Sequence, residues 1–339
     1  MIKNRHVLIL MIFILFLGSS AFAGSQARIG AAGAQELLIP VGARGIALQG
    51  ANITDIAGTE AIYWNPAGLA AGQRTEAMFS YMSWIAGIKV SYLAVGANIG
   101  QANAIGFTLR TLNAGDIEVT TAEQPEGTGE MYSPAFLVVG ATYSRMMTDR
   151  IHFGFTTNLI TENARQMKAT GVAFDFGVQY RNLVPGMHLG VALKNLGPDM
   201  KFDGPDVEYP VNTGGEPGSR SRPAELNLAK FDLPVTFEIG LGYNYNFAED
   251  HKASLYGNFR NFNLGNDYYM GGLEYGFKDL FFLRGGYLAT QQNDDNIFGP
   301  TFGAGLQANL SGTSVGFDYT YRTVEYFDAN QFFSLRIGF

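Results

Sequence analysis

The chain has 339 residues, with 43 glycines, 26 phenylalanines, 17 tyrosines and no cysteine, which excludes disulfide frameworks, thiolate metal sites, thiol catalysis and a lipoprotein anchor. A formal net charge of −7 makes nucleic acid an unfavourable partner. Glycine and aromatics in this abundance suit closely packed strands and interfacial aromatic belts, the composition of a membrane β-barrel.

In chain order, Lys3 and Arg5 precede an apolar run from Val7 to Leu17, and Ala21-Phe22-Ala23 stands before Gly24. This is the three-part pattern of a secretory signal peptide over 1–23. No stretch approaches the ~20 consecutive apolar residues of a membrane helix. Residues 24–74 do not alternate and are broken at Pro40 and Pro66. They are too long for a simple leader into the first strand and are expected to fold as an N-terminal luminal plug, or hatch. Within it, "EAIYWNPAGLAAG" (60–72) predicts a sharp change of direction. Pro66 biases Asn65 away from the helical region and can start a new helical turn, with Tyr63 and Trp64 packing the bend.

From 75 to 339 the chain reads as ten-residue segments of period-two alternation, an antiparallel transmembrane barrel of all-β class. The clearest, 234–247, sets Val235, Phe237, Ile239, Leu241, Tyr243, Tyr245 and Phe247 against Thr236, Glu238, Gly240, Gly242, Asn244 and Asn246. Fourteen segments are expected, starting near Thr75, Val90, Ala102, Ser133, Ile151, Ala169, Met187, Pro234, His251, Asp267, Leu280, Phe298, Thr313 and Gln331. With a periplasmic N-terminus, short turns fall at 148–150, 183–186, 248–250, 279 and 311–312. Longer outer loops fall at 113–132, 163–168, 198–233, 290–297 and 325–330. The final strand "QFFSLRIGF" places Phe333, Leu335, Ile337 and Phe339 toward lipid and ends on an aromatic.

The polar face carries Arg110, Asp175, Arg181, Lys194, Glu238, Arg260, Glu274, Arg284, Arg322 and Arg336. Such inward charges either line a polar path or form a neutralising lattice that holds the plug. Phe282 is among few apolar inward positions in this reading. Loop 113–132 is acidic, and loop 198–233 is longer than a connection requires. "NDDN" (293–296) lacks the spacing of a calcium loop. "GTSVG" (312–316) matches G-x-S-x-G, but Ser314 opens a strand rather than a strand-to-helix elbow. His152, His188 and His251 show no paired ligand spacing. No catalytic residue, metal or cofactor is expected.

"YWNPAGLA" resembles the Asn-Pro-Ala motif in the hatch of the FadL long-chain fatty-acid transporter family, whose barrels have fourteen strands. The longer pattern "LLIPVGARGIALQGANITDIAGTEAIYWNPAGLA" (37–70) is more similar to the PorV/PorQ branch of that superfamily. "DRIHFGFTTNLITE", "FDFGVQYRN" followed by "GMHLGVALKNLG", and "DLPVTFEIGLGYNY" also resemble it. The resemblance implies that Tyr63, Trp64, Asn65, Pro66, Ala67 and Gly68 form the hatch core. It implies an outer-membrane, non-enzymatic protein of type IX secretion or surface attachment. Its partners would be outer-membrane lipid, the barrel-assembly machinery reading the C-terminal strand, the secretion translocon, the sortase, and the C-terminal β-sandwich signal domains of cargo. The alternative is FadL-like transport of hydrophobic small molecules through a pocket beside the hatch. The scarcity of apolar inward positions favours the secretion reading.

Overall fold

The computed structural model describes residues 32–72, 74–212, 221–290 and 296–339; the expected signal peptide over 1–23 lies outside them. Fourteen strands form the wall. They are β1 Glu76–Ser83, β2 Lys89–Ile99, β3 Asn103–Asn113, β4 Ala135–Met146, β5 Ile151–Ala164, β6 Met167–Tyr180 and β7 Met187–Leu196 in the first half. The second half holds β8 Thr236–Ala248, β9 His251–Phe262, β10 Tyr268–Phe277, β11 Phe281–Thr290, β12 Phe298–Leu310, β13 Thr313–Val324 and β14 Asn330–Gly338. Each pairs antiparallel with its neighbours in sequence, and β1 closes on β14 from Glu76↔Gly338 to Ser83↔Gln331. Closure removes the free edges that an open sheet would present.

Alternation assigns the two faces as the sequence predicts. Along β8, Thr236, Glu238, Gly240 and Gly242 are buried, while Phe237 and Tyr245 are exposed. Around the outside, Phe79, Phe107, Leu159, Leu273, Leu283, Phe302 and Leu306 each keep about half of their surface bare. An apolar belt of this extent is untenable in water and is what a bilayer requires. Phe333, Leu335 and Phe339 belong to this outer face, with Phe339 69% exposed. Ile337 shares their parity, and Phe332 points inward, fully buried.

Short connections gather at one end, at 100–102, 147–150, 181–186, 249–250, 278–280 and 311–312; the longer ones gather at the other, called upper below. One expectation fails. Residues 163–168 do not make a long outer loop, because β5 and β6 continue to Ala164 and Met167 and leave a two-residue turn. Arg165 takes a positive φ of 54° there, and the extended ribbon is held by Arg165 bonding Asp206 and by Phe202–Asp203 pairing with Lys168 and Ala169. Two further ribbons rise from the upper end, Ile117–Glu118 with Met131–Tyr132 and Glu208–Asn212 with Ser221–Glu225.

Residues 34–71 lie inside the wall as two short helices, α1 Ala43–Ala47 and α2 Ala61–Trp64, and 3-10 turns at Gln35–Leu38 and Pro66–Ala71. Helices this short are not stable by themselves, so tertiary bonds must hold them. Glycine on the inward face lets backbone meet backbone. A Cβ on Gly154 or Gly177 would overlap Pro66, Ala67 or the Asn65 side chain, and one on Gly190 would strike Ile53 and Thr54. Gly154→Ala is therefore expected to displace the Asn65–Pro66 turn, seen as faster proteolysis within 60–72 of the folded barrel. Gly271→Ala, where a Cβ meets nothing within 4 Å, should leave the cleavage rate unchanged; equal rates in the two variants would contradict this packing.

Candidate functional site

Asn65 anchors the inner segment. Its extended backbone, φ −156° and ψ 101°, is the conformation imposed by the following proline. Its amide donates to the carbonyls of Ile53 at 2.9 Å and Val178 at 3.1 Å, and its oxygen accepts from Ala67 N–H. One fully buried side chain thereby joins the bend to itself and to the wall. Ser144 of β4 accepts from Ala70 N–H and donates to Ala67 O. Opposite, Ser334 of β14 accepts from Ala43 N–H, while Thr320 and Thr301 donate to the carbonyls of Ala43 and Ala47. These bonds satisfy the ends of helices too short to satisfy themselves.

Glu274, Arg284 and Arg336, expected on the inward face, form a relay with two further residues. Arg44 of α1 grips Glu274 through two bonds of 2.9 Å; Glu274 also binds Arg284, Arg284 binds Asp318 at 2.7 Å, and Asp318 binds Arg336 at 2.9 Å. Arg44 was not among the expected charges, and Asp318 was expected on the polar face of its strand but not as a lumen candidate. Asp318 does share the parity of Arg322, but Arg44 sits in a segment without strand periodicity and its placement is a tertiary fact. Glu60 accepts from Gly45 N–H at 2.9 Å, and burial pushes its carboxyl up from the ordinary glutamate range against the pull of Arg336 and Arg44.

The other expected charges are separate. Glu238 binds Arg260 at 2.9 Å and Asn258 at 2.8 Å. Asp175 accepts from Asn158 and from Asn195 N–H. Arg181 donates to the carbonyls of Asp55 and Ile56, and Arg110 to those of Leu37 and Ile39. The Lys194 ammonium lies 3.9 Å from the Tyr63 ring centre, a cation–π contact that helps fix the aromatic pair Tyr63–Trp64. Trp64 donates to Val41 O at 3.0 Å and packs edge-on to Tyr63. Ser314 lies within β13 opposite Gly338, which is no nucleophile elbow. No cluster of three metal-binding side chains occurs among the described residues.

Above Tyr63 and Trp64 is a cavity of about 500 Å³, opening toward the longer loops. Leu112, Phe136, Phe262, Tyr268, Leu288 and Phe298 are among its walls. This corrects the expectation that apolar inward residues are few. They share the inward parity of Arg110, Arg260, Glu274 and Arg284, but they are gathered at the upper strand ends, where loops obscure the alternation; Phe282 lies at the lower end instead. Arg322 and Glu36 are among its polar walls. Arg322 lies 4.0 Å from the Phe298 ring centre and 4.6 Å from that of Trp84; it donates to Asn330 at 2.9 Å, and its Nε has no partner among the described residues. Glu36 is raised in pKa by burial, with Glu162 and Arg110 beside it.

No family model matches the chain, and no curated protein matches it. Among solved structures, the CymD monoaromatic hydrocarbon channel superposes with a TM-score of 0.56 at 13% identity, covering 88% of this chain and 97% of that one. The toluene transporter TbuX of Ralstonia pickettii gives 0.52 at 10% identity over 85% and 99% of the two chains. A FadL homologue of Pseudomonas aeruginosa gives 0.53 at 12%, over 88% and 98%. The fold is thus a closed fourteen-strand antiparallel barrel similar to that of these three structures. The narrower PorV/PorQ resemblance draws no support from these comparisons.

Removing one carboxylate from the relay should be costly. Asp318→Asn leaves Arg284 and Arg336 each short of a buried counter-ion, a loss of about 3–5 kcal/mol for a broken buried pair. Urea titration of the folded barrel in detergent should show it as a lower midpoint at unchanged slope; an unaltered midpoint would mean that the relay does not hold the structure.

Proposed function

We propose that this chain is an outer-membrane channel for small hydrophobic molecules, which rest in the upper cavity before passing the inner segment. The observation that carries the reading is the 500 Å³ space walled by aromatic and aliphatic side chains at the loop end of the lumen and floored by Tyr63 and Trp64. The apolar outer belt and the structural likeness to hydrocarbon channels support both the location and the cargo class. A single aromatic ring buries ~150–250 Å², worth about 4–6 kcal/mol at ~25 cal/mol per Å². Set against the cost of association, that gives capture weak enough to permit release, as passage requires.

Filling the cavity tests the reading. Ala114→Trp should lower uptake of a fluorescent apolar probe into vesicles holding the barrel by about tenfold, equivalent to about 1.4 kcal/mol of barrier, with the barrel still folded. Uptake equal to that of the unchanged protein would sink the proposal.

A second reading, docking of secreted cargo in a type IX system, is favoured by the two ribbons at the upper end. There Ile117, Met131 and Leu226 are 41%, 58% and 53% exposed, more apolar surface than a solvated loop needs. Shortening the ribbon across 117–132 should abolish capture of cargo signal domains while leaving probe uptake intact; capture that survives excludes that ribbon as the receptor.

A further inference from the structure

Two carboxyl groups meet where the inner segment first touches the wall. Glu36 belongs to the 3-10 turn Gln35–Leu38, and Glu162 points inward near the upper end of β5. They are 9% and 4% exposed, and their carboxyl groups lie within hydrogen-bonding reach of each other. As two carboxylates, neither has a proton to give, and Oε1 of each is left buried without a partner among the described residues. The neighbouring strands offer no donor instead, because the residues paired with Glu162 are Phe136 of β4 and Ala169 of β6.

The surrounding charges fix how many protons the pair keeps. Arg110 of β3, 8% exposed, is the cation beside Glu36, and it donates to the carbonyls of Leu37 and Ile39. Val90 of β2, Val138 of β4, Ile160 of β5 and Ala173 of β6 close the place with apolar surface. Asp232, in the stretch before β8, meets this part of the chain through its carbonyl, which accepts Gly33 N–H. Across the cavity Arg260 is held by Glu238, and Arg322 by rings and Asn330. One guanidinium beside two carboxyls is balanced when one carboxyl is protonated. Two like charges in contact at a desolvated site do not both ionise in the ordinary carboxylate range, and burial pushes Glu36 in the same direction.

We propose that Glu36 and Glu162 share a single proton and form an acid-fastened latch between the inner segment and the wall. The closed form is a carboxylic acid donating its O–H to a carboxylate, a short and strong kind of hydrogen bond. Opening it releases that proton to solvent and leaves two anions that repel across the contact. Gln35, Glu36, Leu38, Ile39 and Pro40 all line the upper chamber, so the latch holds part of the chamber's wall in place. This holds whatever molecule the chamber receives.

A pair that keeps its proton above the ordinary carboxylate range contributes its attachment fully in acid and loses it as pH rises through its own pKa. With one proton involved, the ratio of fastened to free turn falls by up to about tenfold per pH unit beyond that point.

The chain has no cysteine, so Gln35→Cys, at an exposed position, takes a single nitroxide label beside the latch. In the folded barrel in detergent, electron paramagnetic resonance should show the label's mobile fraction growing between about pH 5 and about pH 9. Glu162→Gln, whose amide donates to Glu36 at every pH, should hold the label at its acid-side mobility throughout. Infrared spectra at neutral pH give a direct view of the proton. The unlabelled protein should show a protonated-carboxyl stretch that is lost in both Glu162→Gln and Glu36→Gln; Glu60, also raised by burial, is common to all three and cancels in the difference. Spectra without that difference would overturn the shared proton. A label equally mobile at both pH values, or a pH response that persists in Glu162→Gln, would overturn the latch.

Discussion

A closed wall of fourteen strands leaves a lumen that its own side chains cannot fill, and the remaining architecture answers that constraint. An empty lumen would be an open pore; an inner segment of ordinary helices would need length that the enclosed space does not grant. The chain uses helical turns of four to six residues whose unpaired backbone groups are met from the wall. Ser144, Thr301, Thr320 and Ser334 serve this purpose from different directions, and Asn65 reaches from the segment itself to Val178 of the wall. Because these bonds are individually modest, it is their distribution around the circumference that fixes the segment. The inward glycines are the steric counterpart, letting the backbones approach closely enough for such bonds to form.

Electrostatics divides the lumen along its axis. The Arg44–Glu274–Arg284–Asp318–Arg336 relay lies toward the short-turn end, with every carboxylate in it meeting two guanidinium groups. Burial disfavours each of these ions separately, and only mutual pairing makes them tolerable. Such an arrangement supports specificity more than net stability: shifting α1 would strand Glu274 between fewer partners. At the opposite end the inward positions turn aromatic and aliphatic, and the cations that line the cavity there, Arg260 and Arg322, are held by Glu238 and by rings and Asn330 respectively.

Wall and lumen differed in how far the sequence revealed them. Strand starts such as Ile151, Met187, His251, Phe298 and Thr313 coincide with the observed ones, because a lipid face and a packed face impose strict alternation and because turn chemistry punctuates it. The inward parity of Arg110, Asp175, Glu238, Glu274, Arg284, Arg322 and Arg336 was legible for the same reason. Their partners were not, since ion pairing around a barrel depends on register between strands remote in sequence. A pocket beside the hatch was among the expectations, but its apolar walls were not legible, because they are scattered one or two to a strand, at positions such as Leu112, Phe262 and Leu288. Alternation shows which way each side chain points but not that seven or eight strand ends converge on one space. The run of pairing through 163–168 escaped notice because polar residues there, Glu162 to Lys168, suggest a loop, whereas the ribbon is stabilised by a separate segment that docks along its edge.

The same division bears on the proposed passage of an apolar molecule, because the lower lumen is ionic. A hydrocarbon gains nothing from the relay, and displacing Arg44 to let it pass would expose charges that burial has already made costly. The favourable region for such a molecule is the upper chamber, where Trp64 closes the floor through its bond to Val41 O and Asn65 locks the turn immediately behind it. Trp64 and Asn65 are adjacent in sequence, so any movement that lowers the floor must also release the amide bonds to Ile53 and Val178. The floor of the chamber and the Asn-Pro bend are therefore joined through one peptide unit. This gives "YWNPAGLA" a physical reason to combine an aromatic pair with a buried amide and a proline.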